Sequence, residues 1–304
     1  MFSDNPLDGF SPPLSVVIAT IEPWPAIKEC LDSLLPQARE LGAEVIVADG
    51  DGHGLPDDRS LEHIVNMRAI GASTYHLRAI GALKAHGKIV GFTEDHCRVS
   101  SGWCEEILAL HQQYPEAVAI GGPIENGSNA KLLDWVHFLI AKGPFLPPVT
   151  PGETTFLSGQ ANMSFKRHVL PAERSDLDVC QEVYLRKLRK QGWRLSMHTG
   201  PVVWHFQSPG VVGACRLHFH NGKTIAGFRR SHLSQLWKTA RIASCVILPA
   251  FLVGKTIATV FRKRRRRFTL LLGLPFLVLL ATCHTLGEFA GYLKGPGNSP
   301  RLVN

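Results

Sequence analysis

Glu94-Asp95-His96 sets two carboxylates and an imidazole on successive residues. Oxygen and nitrogen donors of this kind can hold a divalent cation bound to phosphate, and the same tripeptide also reads as a solvated turn. Asp49 ends an apolar run at Asp49-Gly50-Asp51-Gly52, where it could accept hydrogen bonds from a nucleoside or act as a turn residue. His205, after Pro201-Val-Val-Trp204, is either a packed core histidine or a further ligand. Glu182 opens an amphipathic stretch with Val183 and Leu188 on one side and Arg186, Lys187, Arg189 and Lys190 on the other. A first-turn carboxylate is stabilised by the helix dipole; facing a crevice, it could also serve as a general base.

The elements that must position these groups are legible as apolar runs. Leu14–Ala19 and Glu44–Ala48 are short and β-branched, as buried strands are, and Lys88–Thr93 and Ala117–Gly121 read the same way. Between them, helical spacing runs over Pro25–Leu41, Tyr75–His86 and Trp103–Gln113. Strand and helix in alternation predict an α/β domain with a mostly parallel sheet. In such sheets ligands bind beyond the carboxyl ends of strands, which is where Thr20 with Glu22, Asp49, and Glu94-Asp95-His96 fall. The pentapeptide RAIGA occurs at 68–72 and again at 78–82, too short a unit for a repeat architecture.

Composition divides the chain in two. Of 304 residues, 45% are hydrophobic and 19% charged, which excludes a disordered chain. The net charge of +8 resolves into −6 over residues 1–205 and +14 over 206–304, where Glu288 is the only acid. The basic run Arg262–Arg267 lies between the apolar segments Ile242–Phe261 and Phe268–Gly287. Each apolar segment has the length of a bilayer core when helical. Oily flanks favour anionic lipid headgroups over nucleic acid as the partner of 262–267; the competing reading is a buried helical hairpin. Met1–Leu14 lacks a basic n-region and an apolar core, and the seven cysteines form no Cys-x-x-Cys pair. The expectation is therefore a membrane-associated protein with its acidic domain in the cytoplasm. Lys255 and Pro249 favour an interfacial or re-entrant course for 242–261. The expected organisation is a tail (1–13), an α/β domain (14–210), a basic amphipathic linker (211–241), membrane-associated helices (242–293) and a C-terminal tail (294–304).

The ordered series VVIAT, EVIVADGDG (44–52), LRAIGALKAHGKIVGFTEDH (77–96) with Trp103, SGQANMSFKR (158–167), QEVYLRKLRKQGW (181–193) and VVWH (202–205) resembles family-2 glycosyltransferases of the GT-A fold. RLHFHNGKTIAGFRR (216–230) and LGEFAGYLKGPGNS (286–299) are similar to a membrane-associated bacterial subset. The resemblance implies that Thr20, Glu22, Asp49 and Gly50 line a nucleotide pocket, with Asp49 against the base. It implies that Arg78 approaches the diphosphate. Glu94 and His96 take the two aspartate positions of the family's Asp-x-Asp, with Asp95 between them; Mn2+ or Mg2+ would then be held by Glu94, Asp95, His96 and His205. Gly159, Asn162 and Trp103 would stand on the acceptor side, and Glu182, with Asp178 in reserve, would be the catalytic base. The implied activity is inverting transfer of a sugar from a nucleotide-sugar donor to a lipid-linked or cell-surface glycan acceptor. It would be non-processive, because Gln235-Leu-Trp-Lys238 does not match the polymerase signature Gln-x-x-Arg-Trp. Because both the metal and base motifs are altered, the alternative is a degenerate GT-A domain serving as a binding or scaffold subunit. A sugar nucleotidyltransferase is disfavoured, since Ala19-Thr-Ile-Glu22 is no glycine-rich phosphate loop.

Overall fold

The computed structural model describes residues 11–157, 159–171 and 181–303. Its main sheet has eight strands: β1 (Leu14–Thr20), β2 (Glu44–Asp49), β3 (Ile64–Arg68), β4 (Ile89–Glu94), β6 (Ala117–Gly121), β8 (Gly152–Thr154), β9 (Met163–Lys166) and β10 (Arg194–Met197), in the order β3-β2-β1-β4-β9-β6-β10-β8. Most neighbours are parallel; β9 runs antiparallel between β4 and β6, and β8 is an antiparallel edge. Helices α1 (Lys28–Glu40), α2 (Thr74–Lys84) and α3 (Trp103–Gln113) supply the crossovers. β1 is buried along its whole length, as an apolar run in a sheet covered on both faces must be. This is the α/β arrangement expected from the alternating runs.

Register aligns the chemistry. Thr20 pairs with Asp49 across β1–β2, and Ala19 pairs with Glu94 across β1–β4, so three strand ends open at one level. A second sheet of three short strands, β5 (Cys97–Val99), β7 (Ile124–Asn126) and β11 (Val203–His205), lies just beyond, in the order β5-β11-β7. β5 pairs antiparallel with β11, His205 opposite Cys97. Phe206 N–H donates to the His96 carbonyl at 2.9 Å. These short ladders carry His205 back to the end of β4.

Helix α4 (Leu132–Lys142) follows β7, and Asp134 fixes its first turn by accepting from the Lys131 amide at 3.0 Å and the Ser208 hydroxyl at 2.7 Å. Helix α5 (Gln181–Lys190) begins where Glu182 predicts a helix start. The remaining helices are α6 (Val211–Arg230), α7 (Gln235–Ser244), α8 (Leu248–Lys263), α9 (Arg267–Leu272) and α10 (Leu274–Lys294). α10 crosses α6 at backbone contact. A Cβ on Gly287 would lie 1.9 Å from the Phe219 carbonyl, and one on Gly222 would lie 2.1 Å from the His284 carbonyl. Gly287 and Gly291 are four apart on one face, the small-residue spacing that lets helices approach this closely.

α10 is long and apolar enough to cross a membrane, although 44% of its apolar window is buried against the rest of the protein. α7 and α8 would pass the same test together, with a 70° bend between them; Pro249 sits in the first turn of α8. The basic run departs from the picture of a free cationic cluster. Lys263 Nζ donates to the carbonyls of Leu146 and Pro148 at 2.6 and 2.7 Å, and Arg265 forks onto Glu125 at 2.8 and 3.3 Å. Arg266 lies over the Trp135 ring at 4.0 Å, and Arg267 donates to the Phe261 carbonyl. Arg262 and Arg264 are exposed. The run ties the tail to the α/β domain because unpaired carbonyls and Glu125 lie within its reach.

Candidate functional site

The end of β4 gathers charge out of water. Glu94 is 7% exposed and Asp95 2%. Glu94 Oε1 accepts from Arg78 Nη2 at 3.3 Å. Its other oxygen, Oε2, is buried without a hydrogen-bond partner, yet three nitrogens stand near it: His205 Nε2 at 3.5 Å, His96 Nε2 at 3.7 Å and Lys142 Nζ at 3.7 Å. Burial alone would push the Glu94 carboxyl up; Lys142, His205, His96 and Arg78 hold it well below the usual carboxylate range. Glu94 is therefore an anion fixed among cations and imidazoles.

Asp95 orients the neighbouring imidazole. Its Oδ1 lies 2.7 Å from His96 Nδ1, and its Oδ2 accepts from Thr20 Oγ1 at 2.8 Å. With Nδ1–H given to the carboxylate, His96 Nε2 carries a lone pair pointing away from Asp95. His96 Nε2 and His205 Nε2 are 3.0 Å apart, their rings edge to face at 88°. Burial pushes His205 down to about 3, reinforced by His96, so its ring is neutral near pH 7. Burial opposes charge on His96 as well, but Asp95 and Glu94 raise its pKa on balance.

The Nε2 atoms of two imidazoles converge with an unsatisfied carboxylate oxygen, and a carboxylate orients one of the rings. This donor set suits a divalent cation. Glu94, His96 and Cys97 also bring ligand atoms within 4.8 Å of one another. Burial pushes the Cys97 thiol well above its ordinary value, whereas His205 offers a neutral nitrogen 3.5 Å from Glu94 Oε2. Asp95, with both oxygens engaged, supports His96 from behind.

The other sequence-predicted residues fall into three groups. Thr20, Asp49 and Gly50 lie at the strand ends and are buried, whereas Glu22 is exposed beside them. Thr20, Glu22 and Asp49 line one small pocket together with Trp24 and Leu55. Asp49 holds the following loop: Oδ1 accepts from the Asp51 and Gly52 amides at 2.8 and 3.2 Å, and Oδ2 from the Gly54 amide at 2.9 Å. Trp103 and Asn162 sit in the core instead of facing an acceptor. The Trp103 indole, fully buried, donates to Asn162 Oδ1 at 3.0 Å, and Asn162 Nδ2 donates to the Pro123 and Pro201 carbonyls at 2.8 and 2.7 Å. The pair clamps three segments together and corrects the expectation of acceptor contact for both. Gly159 opens a short turn, Gly159–Ala161. Asp178 lies outside the described residues; for Glu182 only its place in the first turn of α5 is described.

Lys142 is the site residue that sequence reasoning missed. It ends α4, and nothing in its local sequence marks it as different from a helix C-terminal lysine. Its role depends on α4 packing beside the small sheet, with Phe138 against His205 at 6.4 Å between ring centroids.

Comparison with solved structures defines the class of fold. The chain superposes on the mannosyltransferase PcManGT from Pyrobaculum calidifontis, solved in complex with GDP-Man and Mn2+. The TM-score is 0.57 at 15% identity, covering 94% of this chain and 88% of that one. GalNAc-T7, solved with UDP, GalNAc and Mn2+, aligns at a TM-score of 0.43 and 16% identity, over 73% of this chain and 51% of its own. No family model matches the chain, and no curated protein matches it in sequence. The fold is the GT-A fold, with a helical appendage carrying one helix long and apolar enough to cross a membrane.

Proposed function

We propose that this protein is a metal-assisted, inverting, non-processive glycosyltransferase that moves a sugar from a nucleotide donor to a lipid-linked or cell-surface glycan acceptor. The observation that carries the reading is the unsatisfied, buried Glu94 Oε2 facing the Nε2 atoms of His96 and His205 at the end of β4. It lies level with the Thr20 and Asp49 strand ends, in a fold shared with a structure that holds GDP-Man and Mn2+.

In this reading Thr20, Glu22, Asp49 and Gly50 line the nucleoside pocket, with the loop held by Asp49 closing over the base. Glu94, His96 and His205 would hold the Mn2+ or Mg2+. The bound cation would supply Lewis-acid stabilisation of the charge developing on the departing diphosphate. Asp95 keeps His96 in the tautomer whose Nε2 is free, and Arg78 and Lys142 add fixed positive charge beside the diphosphate. Glu182 takes the proton from the acceptor hydroxyl as that oxygen attacks the anomeric carbon. The domain comprises residues 14–210, and the apolar appendage keeps the enzyme at the surface where a lipid-bound acceptor resides, raising its effective concentration.

A panel of UDP- and GDP-sugars, offered with Mn2+ and native lipid extract, tests the proposal. Turnover of one donor, reduced by two or more orders of magnitude in Glu182→Gln with the fold intact, is expected. Donor binding without turnover in the wild-type protein would move the assignment to a binding subunit.

A further inference from the structure

Among the described residues, α10 is the single unbroken helix with the length and apolarity of a membrane span, about 30 Å over 21 residues. Its attachments oppose a crossing. At its start, a Cβ on Gly273 would lie 2.2 Å from Val136 Cγ2 of α4. Midway, Gly287 and Gly291 meet the Phe219 and Lys223 carbonyls of α6 at backbone contact. Past its end, Ser299 Oγ lies 3.1 Å from His220 Nδ1. The Val303 carbonyl then accepts from Thr74 Oγ1 at 3.4 Å, at the first residue of α2. Both ends of α10 thus rest on the α/β domain, which can occupy only one side of a bilayer.

α6 is the layer between α10 and that domain. His218 Nε2 stands 3.1 Å from His137 Nδ1 of α4, and Phe228 meets Tyr75 of α2 edge to face at 5.5 Å. A spanning α10 would draw α6 into hydrocarbon with Arg216, Lys223 and Arg229, where charge is costly. Glu288, buried within the apolar run of α10, keeps its partners only beside α6: His284 Nε2 at 3.3 Å and Arg229 Nη1 of α6 at 3.7 Å.

The face of α10 turned away from α6 is apolar apart from Thr282. Val278, Leu279, Leu286, Phe289 and Leu293 are exposed at helical spacing, while Leu277, Ala281 and Glu288 are buried on the other side. α7, α8 and α9 pack beside α10 and leave Trp237, Phe251, Phe268 and Leu272 in the open. Arg241, Lys255, Arg262, Arg264 and Lys294 are exposed on these helices and the turn after α8, whereas the one acid beyond residue 205, Glu288, is buried. An apolar face among cations, with no exposed acid of its own, matches anionic headgroups over acyl chains. A second copy docked on the same face would instead oppose two cationic surfaces.

We infer that α10 lies in the plane of one leaflet of an anionic bilayer, with its Val278–Leu293 stripe inserted and neither α10 nor the α7–α8 pair crossing. This deepens the membrane placement proposed above and is independent of sugar transfer.

Topology is tested on the full-length protein translated in the presence of inverted bacterial membrane vesicles, whose insertion machinery would thread a true span. An impermeant maleimide added outside is expected to label Arg262→Cys and Arg301→Cys as fully as Glu40→Cys on the α/β domain. Protection of 262 or 301 until detergent is added would mean a crossing and overturn the proposal. The docking face is tested by co-sedimentation of the purified protein with phosphatidylcholine vesicles, with and without phosphatidylglycerol. Binding is expected to need the anionic lipid and to weaken about tenfold or more in Leu286→Glu with Phe289→Glu, both exposed positions, at an unchanged melting midpoint. Leu293→Glu, at the end of the stripe, is the single-site counterpart should the double variant melt early. Wild-type binding in these folded variants, or equal binding to neutral vesicles, would overturn the proposal. So would a dimer in vesicle-free buffer that Leu293→Glu dissociates, since the face would then belong to a second copy. Donor turnover by a protein that fails these tests would leave the transfer reading standing, and absence of turnover would leave the labelling result intact.

Discussion

At Glu94 the deciding quantity is which cation holds Oε2. Lys142 Nζ stands 3.7 Å from that oxygen, about as near as the two imidazoles. An ammonium at this distance occupies the position from which a metal ion would draw the same charge. At an effective dielectric near 20, unit charges about 4 Å apart interact by roughly 4 kcal/mol, and Lys142 is partly exposed, so screening reduces this. Lys142→Met is therefore expected to tighten Mn2+ binding to the nucleotide-free protein by on the order of tenfold, about 1.4 kcal/mol. Glu94→Gln should abolish that binding. Calorimetry checks both, and unchanged or weaker Mn2+ binding in Lys142→Met would show that the lysine does not compete. Little of this was legible beforehand. Glu94, His96 and His205 stand out by type and position, but Lys142 looks like any basic helix terminus, and only α4 packing against the small sheet gives it a role. Asn162 and Trp103 show the opposite limit: polar or aromatic residues in a motif-like run can be spent on the core.

Among the elements, the alternating half of the chain was read well because its strands are apolar runs of five to seven residues. Such a run is long enough to carry its own signal. β5, β7, β8 and β11 are three residues each and exist only through their partners. The RAIGA echo makes the same point. Its first copy leaves the end of β3 and turns at Gly71 with φ +69°, whereas its second lies inside α2. Tertiary context, not the five residues, chooses between them. The α6–α10 crossing is the element-level feature most sensitive to substitution. Gly287→Ala places a methyl 1.9 Å from the Phe219 carbonyl, so the helices must separate. A loss of about 1–3 kcal/mol is expected, read as a fall in the melting midpoint. Gly254→Ala in α8, where nothing lies within 4 Å, serves as the control; it is expected to be neutral or to stabilise by about 0.5–1 kcal/mol. Equal melting of both variants would refute close packing at Gly287.

Across the whole molecule, the charge division seen in the sequence has a structural meaning. The cationic run between the apolar helices fastens the appendage to the α/β domain through Lys263 and Arg265, while Arg262 and Arg264 face outward. The two pairs are thus separable. Lys263→Gln with Arg265→Gln is expected to lower thermal stability by about 1–3 kcal/mol, leaving carbonyls and Glu125 unpaired. Arg262→Gln with Arg264→Gln should leave stability unchanged and weaken co-sedimentation with anionic vesicles, the more so at low salt. Equal effects of the two pairs in both assays would contradict the division of labour.

The central claim is that the end of β4 is a cation site serving a nucleotide diphosphate, and Mn2+ titration followed by electron paramagnetic resonance addresses it most directly. One tightly bound Mn2+ per chain is expected in the presence of GDP or UDP. Nitrogen couplings should fall from two imidazoles to one in His205→Ala, and binding should be lost in Glu94→Gln. A nucleotide that binds equally well without Mn2+, or a bound Mn2+ whose spectrum is indifferent to both substitutions, would contradict it.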